Sequence, residues 1–117
     1  MSVQDFMAWQ KADALFDVVV EDLKPMRQDV MCQRLISQQI AAADSICANI
    51  EEGYGRESKR DYAHYLVIAR GSAQETKGRY GRMKHWLASE TIGLRQAACN
   101  EIIAILTATI RKLRSQS

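Results

Sequence analysis

An all-α fold, an antiparallel up-down-up-down bundle of four helices, is what this sequence predicts. Three observations predict it. Apolar residues recur at three- and four-residue intervals through four long segments. The breaks between those segments are short and are marked by proline, glycine or serine. Hydrophobic residues make up 47% of the chain, with only six glycines and one proline, a composition that folds and that lacks the aromatic and β-branched runs of a sheet protein. At 117 residues the chain, 1–117, is the size of one domain, long enough to bury roughly two-thirds of its unfolded surface in a single core.

The first helix spans Val3 to Leu23, where Phe6, Trp9, Phe16, Val19, Val20 and Leu23 keep helical spacing with Asp13, Asp17, Glu21 and Asp22 between them. Pro25 cannot continue it, because proline lacks the backbone donor and disfavours a helical residue before it. Lys24 to Asp29 is therefore a loop. The second helix runs from about Val30 to Gly53 through Leu35, Ile36, Ile40, Ala43, Ile46, Cys47 and Ile50. Gly53 and Gly55 then end it, the usual exit being a glycine in the left-handed conformation.

Ser58 stands three residues before Asp61 and suits the N-cap of the third helix. That helix runs through Tyr62, Tyr65, Leu66, Ala69, Ala73, Thr76, Tyr80 and Met83 to Leu87, a rod of about 43 Å at 1.5 Å per residue. Gly71, Gly78 and Gly81 lie inside it, each costing on the order of 1 kcal/mol relative to alanine. Close approach of another helix backbone, a kink or a ligand would offset that cost. Ser89 to Gly93 breaks the pattern, and Leu94 to Leu113 is the fourth helix. Its residues Ala97, Ala98, Cys99, Ile102, Ile103, Ile105, Leu106, Ala108, Ile110 and Leu113 make a wider apolar surface than one bundle core requires, which predicts a subunit interface.

Charge is segregated along the chain. Residues 1–53 hold 4 Lys/Arg against 9 Asp/Glu, and residues 54–117 hold 12 against 5, inside an overall charge of only +2. Such polarity steers an anionic partner, or pairs an acidic face with a basic one between helices or subunits. Cys32, Cys47 and Cys99 sit among apolar neighbours without a second ligand at metal spacing, so they read as reduced core thiols. No leader-like or membrane-spanning stretch stands out, and the expected location is the cytoplasm, with no metal and no cofactor.

The stretch ANIEEGYGRESKRDY, residues 48–62, is the most informative. Asn49 borders the apolar face, and its amide needs a partner on a neighbouring helix or in the 54–58 loop, since burying it unpaired costs roughly 1–3 kcal/mol. Glu51 and Glu52 sit in the last turn, ready to pair with Arg56, Lys59 and Arg60 across the loop. Adjacent helical residues point about 100° apart, so the two carboxylates do not converge on one substrate atom. His64 and His85 have no nucleophile at a suitable spacing. Catalysis is not expected.

A basic stripe follows. Lys59, Arg70, Lys77 and Lys84 fall within about 40° of one another at 100° per residue, and Arg56, Arg60, Arg79 and Arg82 thicken the charge around them. Rows of this kind bind phosphate backbones with salt-dependent, largely sequence-independent affinity, and they also occur as plain solvated flanks.

These residues carry a resemblance. Trp9, Lys11 and Ala12, then Gln38, Ser45-Ile46, Ala48-Asn49-Ile50, Glu52-Gly53-Tyr54-Gly55-Arg56 and Ser58, then Tyr62, Tyr65-Leu66, Ala69, Gly71-Ser72 and Glu75, resemble the four-helix-bundle family encoded within intervening sequences of bacterial 23S ribosomal RNA genes. A related branch is the accessory variability protein of diversity-generating retroelements. The resemblance implies a ring-like homopentamer without known enzymatic activity, and in the retroelement branch a basic scaffold that binds a reverse transcriptase and RNA or DNA. It marks Asn49, Glu52, Gly53, Tyr54, Gly55, Arg56, Gly71, Ser72 and Glu75 as a structural signature, in which Asn49 and Glu52 lock the loop and the glycines turn it.

The chain departs from the family pattern at Ile40 and Ala41, where relatives commonly carry arginines, and at Cys47, often proline. The missing arginines take charge away from a nucleic-acid surface. The expected function is a non-enzymatic oligomeric scaffold whose basic flank meets nucleic acid or a nucleic-acid-processing partner. The alternative is a purely structural self-assembling protein.

Overall fold

The computed structural model describes residues 2–116, and four helices dominate them: α1 (Met7–Leu23), α2 (Gln33–Tyr54), α3 (Lys59–Arg82) and α4 (Ser89–Gln116). Contacts between side chains far apart in sequence set their directions. Arg95 meets Asp22 and Glu101 meets Lys11; Ser72 meets Ser45 and Arg79 meets Gln39; Thr107 meets Arg70 and Gln96 meets Lys77. In each pair of helices one residue number rises as the other falls, so every neighbour is antiparallel. Each helix packs on the ones before and after it and α4 closes on α1, while the diagonal helix pairs share no backbone proximity among the described residues. The result is the up-down-up-down bundle, 47 × 21 × 20 Å.

The helix starts and stops obey local chemistry. Asp5 accepts the backbone N–H of Ser2 at 2.9 Å and closes a 3-10 turn, Val3–Asp5, so α1 begins at Met7 rather than at Val3. The connection after α1 coils into two 3-10 turns, Lys24–Gln28 and Val30–Cys32, with Pro25 in the first turn of one. Asp29 caps the second by accepting from Met31 N at 2.9 Å and also accepts Trp86 Nε1 at 2.8 Å, tying the two loops at this end together. These two donors hold the Asp29 carboxyl below the usual carboxylate range.

Ser58 is the expected N-cap of α3, its Oγ accepting from Asp61 N at 3.0 Å. α3 ends sooner than the periodicity implies, at Arg82, because Trp86 N and Leu87 N both turn back to Met83 O at 2.9 Å. α4 begins sooner, at Ser89: Ile92 buries itself against the bundle and drags the first turn into register, and Gly93 rides on the exposed side.

The core is built from Leu15, Val19 and Leu23 of α1, Ile46 and Ile50 of α2, Leu66 and Tyr80 of α3, and Ile102, Leu106 and Ile110 of α4. Each such aliphatic side chain contributes about 1.5–3 kcal/mol on full burial. Alanines at Ala8, Ala12, Ala43, Ala69 and Ala73 let the helices approach. All three cysteines are buried and unbridged. Burial, with acidic neighbours, pushes the Cys47 thiol up to about 12, and burial pushes Cys99 up to about 11.

Three expectations change. No glycine has a positive φ; α2 runs on to Tyr54 and Gly55 caps it at φ −80°, ψ −3°. Gly53 is needed for space instead: an added Cβ would lie 2.8 Å from Tyr65 Cβ and 3.2 Å from Tyr62 O, where α3 crosses. Gly71, in contrast, faces open space within the chain, and a Cβ on Gly78 would meet only the Arg82 side chain of its own helix at 3.8 Å, so no neighbouring helix of the same chain explains them. The surplus apolar surface of α4 is also largely absorbed, because α1 and α3 cover both of its flanks. Cys99, Ile102, Leu106 and Ile110 are buried, and Ala98, Ile103, Ile105 and Leu113 pack partly against the core. Of its large apolar residues Leu94, at 60% exposure, stands out; Met7, Val30, Met31 and Ile68 are the exposed ones elsewhere among the described residues.

Candidate nucleic-acid interface

Acidic and basic residues part along the bundle. Exposed Asp13, Asp17 and Glu21 on α1 and Asp44, Glu51 and Glu52 on α2 lie on one half; α3 and α4 hold most of the cations. Since α3 and α4 are neighbours, as are α1 and α2, the asymmetry of the sequence becomes an asymmetry across the molecule.

The eight cations singled out in the sequence divide into groups. Arg70 and Lys77 lie on the α4-facing side of α3, where Arg70 Nη1 donates to Thr107 Oγ1 at 3.3 Å and Gln96 Nε2 donates to Lys77 O at 3.2 Å. Lys59 opens α3 and Lys84 follows it in the 3-10 turn Met83–His85, both exposed. Arg60 and Arg82 are exposed on the outer side. The remaining two are engaged inside the chain. Arg56 donates to Glu52 at 2.8 Å and to Tyr65 OH at 2.5 Å, with its guanidinium 4.8 Å from the centre of the same ring. Arg79 is half-buried between α2 and α3 and donates to Gln39 Oε1 at 3.0 Å, while its Nε is buried without a hydrogen-bond partner.

Two further arginines join the α4-facing group. Arg111 and Arg114 line, with Arg70, Thr107 and Ile110, one notch of about 260 Å³ between α3 and α4. In the sequence these two stand in the last turns of α4, where positive charge suits the negative end of the helix dipole, and 41 and 44 residues separate them from Arg70. Their positions relative to Thr107, at i+4 and i+7, were the available signal.

The signature residues have structural duties. Asn49 Nδ2 donates to Ser45 O at 2.8 Å and to Ser45 Oγ at 2.9 Å within its own helix, so it does not cap the 54–58 loop. It reaches α3 only through Ser45, whose Oγ accepts from buried Ser72 at 2.8 Å. Tyr54 packs edge-on against Tyr62 with centroids 6.0 Å apart. Glu75, with Gln38, Ser45, Ser72 and Arg79, lines a cleft of about 310 Å³ between α2 and α3. Next to that cleft, Gln39 is completely buried and donates Nε2 to Thr76 O at 2.9 Å.

A polar cluster that the sequence reading missed sits toward the Pro25 end of the bundle, away from the 54–58 loop. Asp22 accepts Arg95 Nε at 2.7 Å and Nη2 at 3.1 Å, and Tyr80 OH at 2.7 Å. Burial first, then the bond to Asp22, raises the Tyr80 phenol above its ordinary value. The groups considered for catalysis scatter. Glu51 accepts Trp9 Nε1 at 2.8 Å, Glu52 pairs with Arg56, and exposed His64 and His85 lie edge-on to Tyr65 and Trp86. Among the described residues no three His, Cys, Asp or Glu side chains gather as metal ligands, and no helix is long and apolar enough to cross a membrane.

Comparisons with known proteins come down on the same fold. A crystal structure of a protein of unknown function from the S23 ribosomal protein family of Bacteroides thetaiotaomicron superposes with a TM-score of 0.80 at 21% identity, covering 92% of this chain and 98% of that one. No curated protein matches the sequence. Residues 4–108 match the family described as 23S rRNA-intervening sequence protein, a span that takes in α1, α2, α3 and most of α4, and the chain belongs to that family.

Proposed function

We propose that this protein is a non-enzymatic, homo-oligomeric scaffold, a pentamer on the family resemblance, that meets nucleic acid or a nucleic-acid-processing partner along its α3–α4 side. The observation that carries the reading is the grouping of Arg70, Lys77, Arg111 and Arg114 on that side, with Lys59 and Lys84 at its ends and the exposed carboxylates of α1 and α2 on the other half. A row of this kind attracts phosphate by releasing counterions, and its affinity falls steeply with salt. The scattered carboxylates and imidazoles favour a non-catalytic role. The measurement that decides it is retention of mixed RNA and DNA across a salt series. Binding that weakens as salt rises is the expected result, and no binding at about 50 mM salt, where phosphate contacts are least screened, removes the reading.

The same segregation of charge favours a second reading, in which the basic half of one copy pairs with the acidic half of the next. Reversing Arg70, Lys77 and Lys84 to glutamate then breaks the oligomer. An unchanged mass by light scattering excludes it.

A further inference from the structure

We infer that the notch walled by Arg70 of α3 and by Thr107, Arg111 and Arg114 of α4 is a phosphate-binding site, the anchor point for a nucleic-acid strand on this molecule. The inference rests on the nucleic-acid reading for its partner, and on its own geometry for its location. Arg70, Arg111 and Arg114, from two helices, line about 260 Å³, and none of the five lining residues is acidic. The like charges of Arg70 and Arg111 on either side repel one another, and an anion between them turns that repulsion into attraction.

The surroundings are suited to holding one. Ile110, buried to 2% exposure, forms an apolar floor that lowers the local dielectric and strengthens charge interactions above it. Thr107 Oγ1 accepts from Arg70 Nη1 at 3.3 Å, which orients that guanidinium and leaves the threonine hydroxyl its own proton to donate. Thr107, Arg111 and Arg114 recur at i, i+4 and i+7, so one face of α4 presents them together. The C-terminal end of α4 contributes only about half a negative charge, short of the two guanidiniums of Arg70 and Arg111 alone. Arginine forks match the several acceptor oxygens of a phosphate, which favours phosphate over a monovalent spherical anion. Lys77, farther along α3, and Lys84, in the 3-10 turn after it, continue the positive side away from the notch.

The test uses the full chain, a labelled single-stranded RNA oligomer, inorganic phosphate and pyrophosphate. Arg70→Gln/Arg111→Gln is compared with Arg27→Gln/Arg34→Gln, which removes the same charge from exposed positions on the other half. The notch variant is expected to bind RNA about tenfold or more weakly at low salt, with a salt slope shallower by about one to two, while the control stays within about twofold. RNA binding by the notch variant equal to the control overturns the anchor and leaves the wider nucleic-acid reading standing. Should the wild type bind neither this RNA nor the mixed RNA and DNA of the salt series, that wider reading falls and the phosphate arms decide the notch. A rise in melting temperature with phosphate or pyrophosphate that the notch variant loses keeps it, as a site for small phosphorylated compounds; no such difference overturns it. If circular dichroism shows the double variant unfolded, Arg111→Gln/Arg114→Gln, at exposed positions near the end of α4, carries the same comparisons.

Discussion

Gly53 and Tyr65 meet where α2 and α3 come together, so closely that a Cβ on the glycine would stand 2.8 Å from the tyrosine Cβ. Real Cβ atoms do not approach one another this way, and the neighbours include the Tyr62 carbonyl, which cannot swing aside. Gly53→Ala is therefore expected to destabilise the protein by about 1–3 kcal/mol through overpacking. Gly71→Ala, on the open side of α3, is expected to stabilise it by about 0.5–1 kcal/mol through helix propensity. Denaturant melts of the two variants check the pair, and equal effects of one sign would remove the steric account of Gly53.

The Asp22 cluster joins α1, α3 and α4, with the Asp22 and Arg95 side chains 10% and 25% exposed. Removing the carboxylate leaves a largely desolvated guanidinium and a buried phenol without their acceptor. Asp22→Ala should cost about 2–4 kcal/mol, less than a fully buried pair because Arg95 keeps some water. A double-mutant cycle with Tyr80→Phe is expected to give a coupling of about 0.5–3 kcal/mol. Additive losses in that cycle would mean that the bond of 2.7 Å contributes nothing of its own.

Gln39 bridges α2 to α3 by donating to Thr76 O and accepting from Arg79. Gln39→Ala should destabilise by about 1–3 kcal/mol, since Arg79 loses an acceptor beside its already unpartnered Nε. Gln39→Glu, offering a carboxylate to Arg79 but no donor to Thr76 O, should retain part of that loss. Calorimetry on both variants distinguishes the two halves of the bridge; a Gln39→Ala variant as stable as the wild type would contradict it.

Alkaline pH should unfold the protein early. In the folded chain the Cys47 and Cys99 thiols hold their protons up to about 12 and about 11, against 9.0 when unperturbed, and the buried Tyr80 phenol is shifted in the same direction. The folded state thus binds more protons than the unfolded one above pH 9.0, and stability falls as pH rises through the folded values. It is fully present below pH 9.0. Denaturation midpoints at pH 8 and pH 10.5 measure the fall, and a Cys47→Ala/Cys99→Ala variant should show a shallower one. A midpoint flat across this range would count against the buried-thiol account.

The four helices, the loop at Pro25, the cap at Ser58 and the burial of the cysteines could all be read from the sequence. Each is a local matter: the spacing of apolar residues, a missing backbone donor, or a hydroxyl three residues from an amide. Polar residues of the interior could not be read that way. Asp22 looked like any carboxylate of a solvent face, because Tyr80 and Arg95 are 58 and 73 residues distant. Gln39 and Ser72 gain meaning only from α2 lying against α3, and Gly53 only from where Tyr65 falls.

The basic row divides along the same line. Spacing alone put Arg70 and Lys77 on one side of a helix and Arg56 within reach of Glu52, but only packing showed Arg79 to be bound within the chain and brought Arg111 and Arg114 to Arg70. Periodicity says which residues share a face of one helix. Which face meets which depends on how volumes fill between helices, and that is decided by tertiary contact.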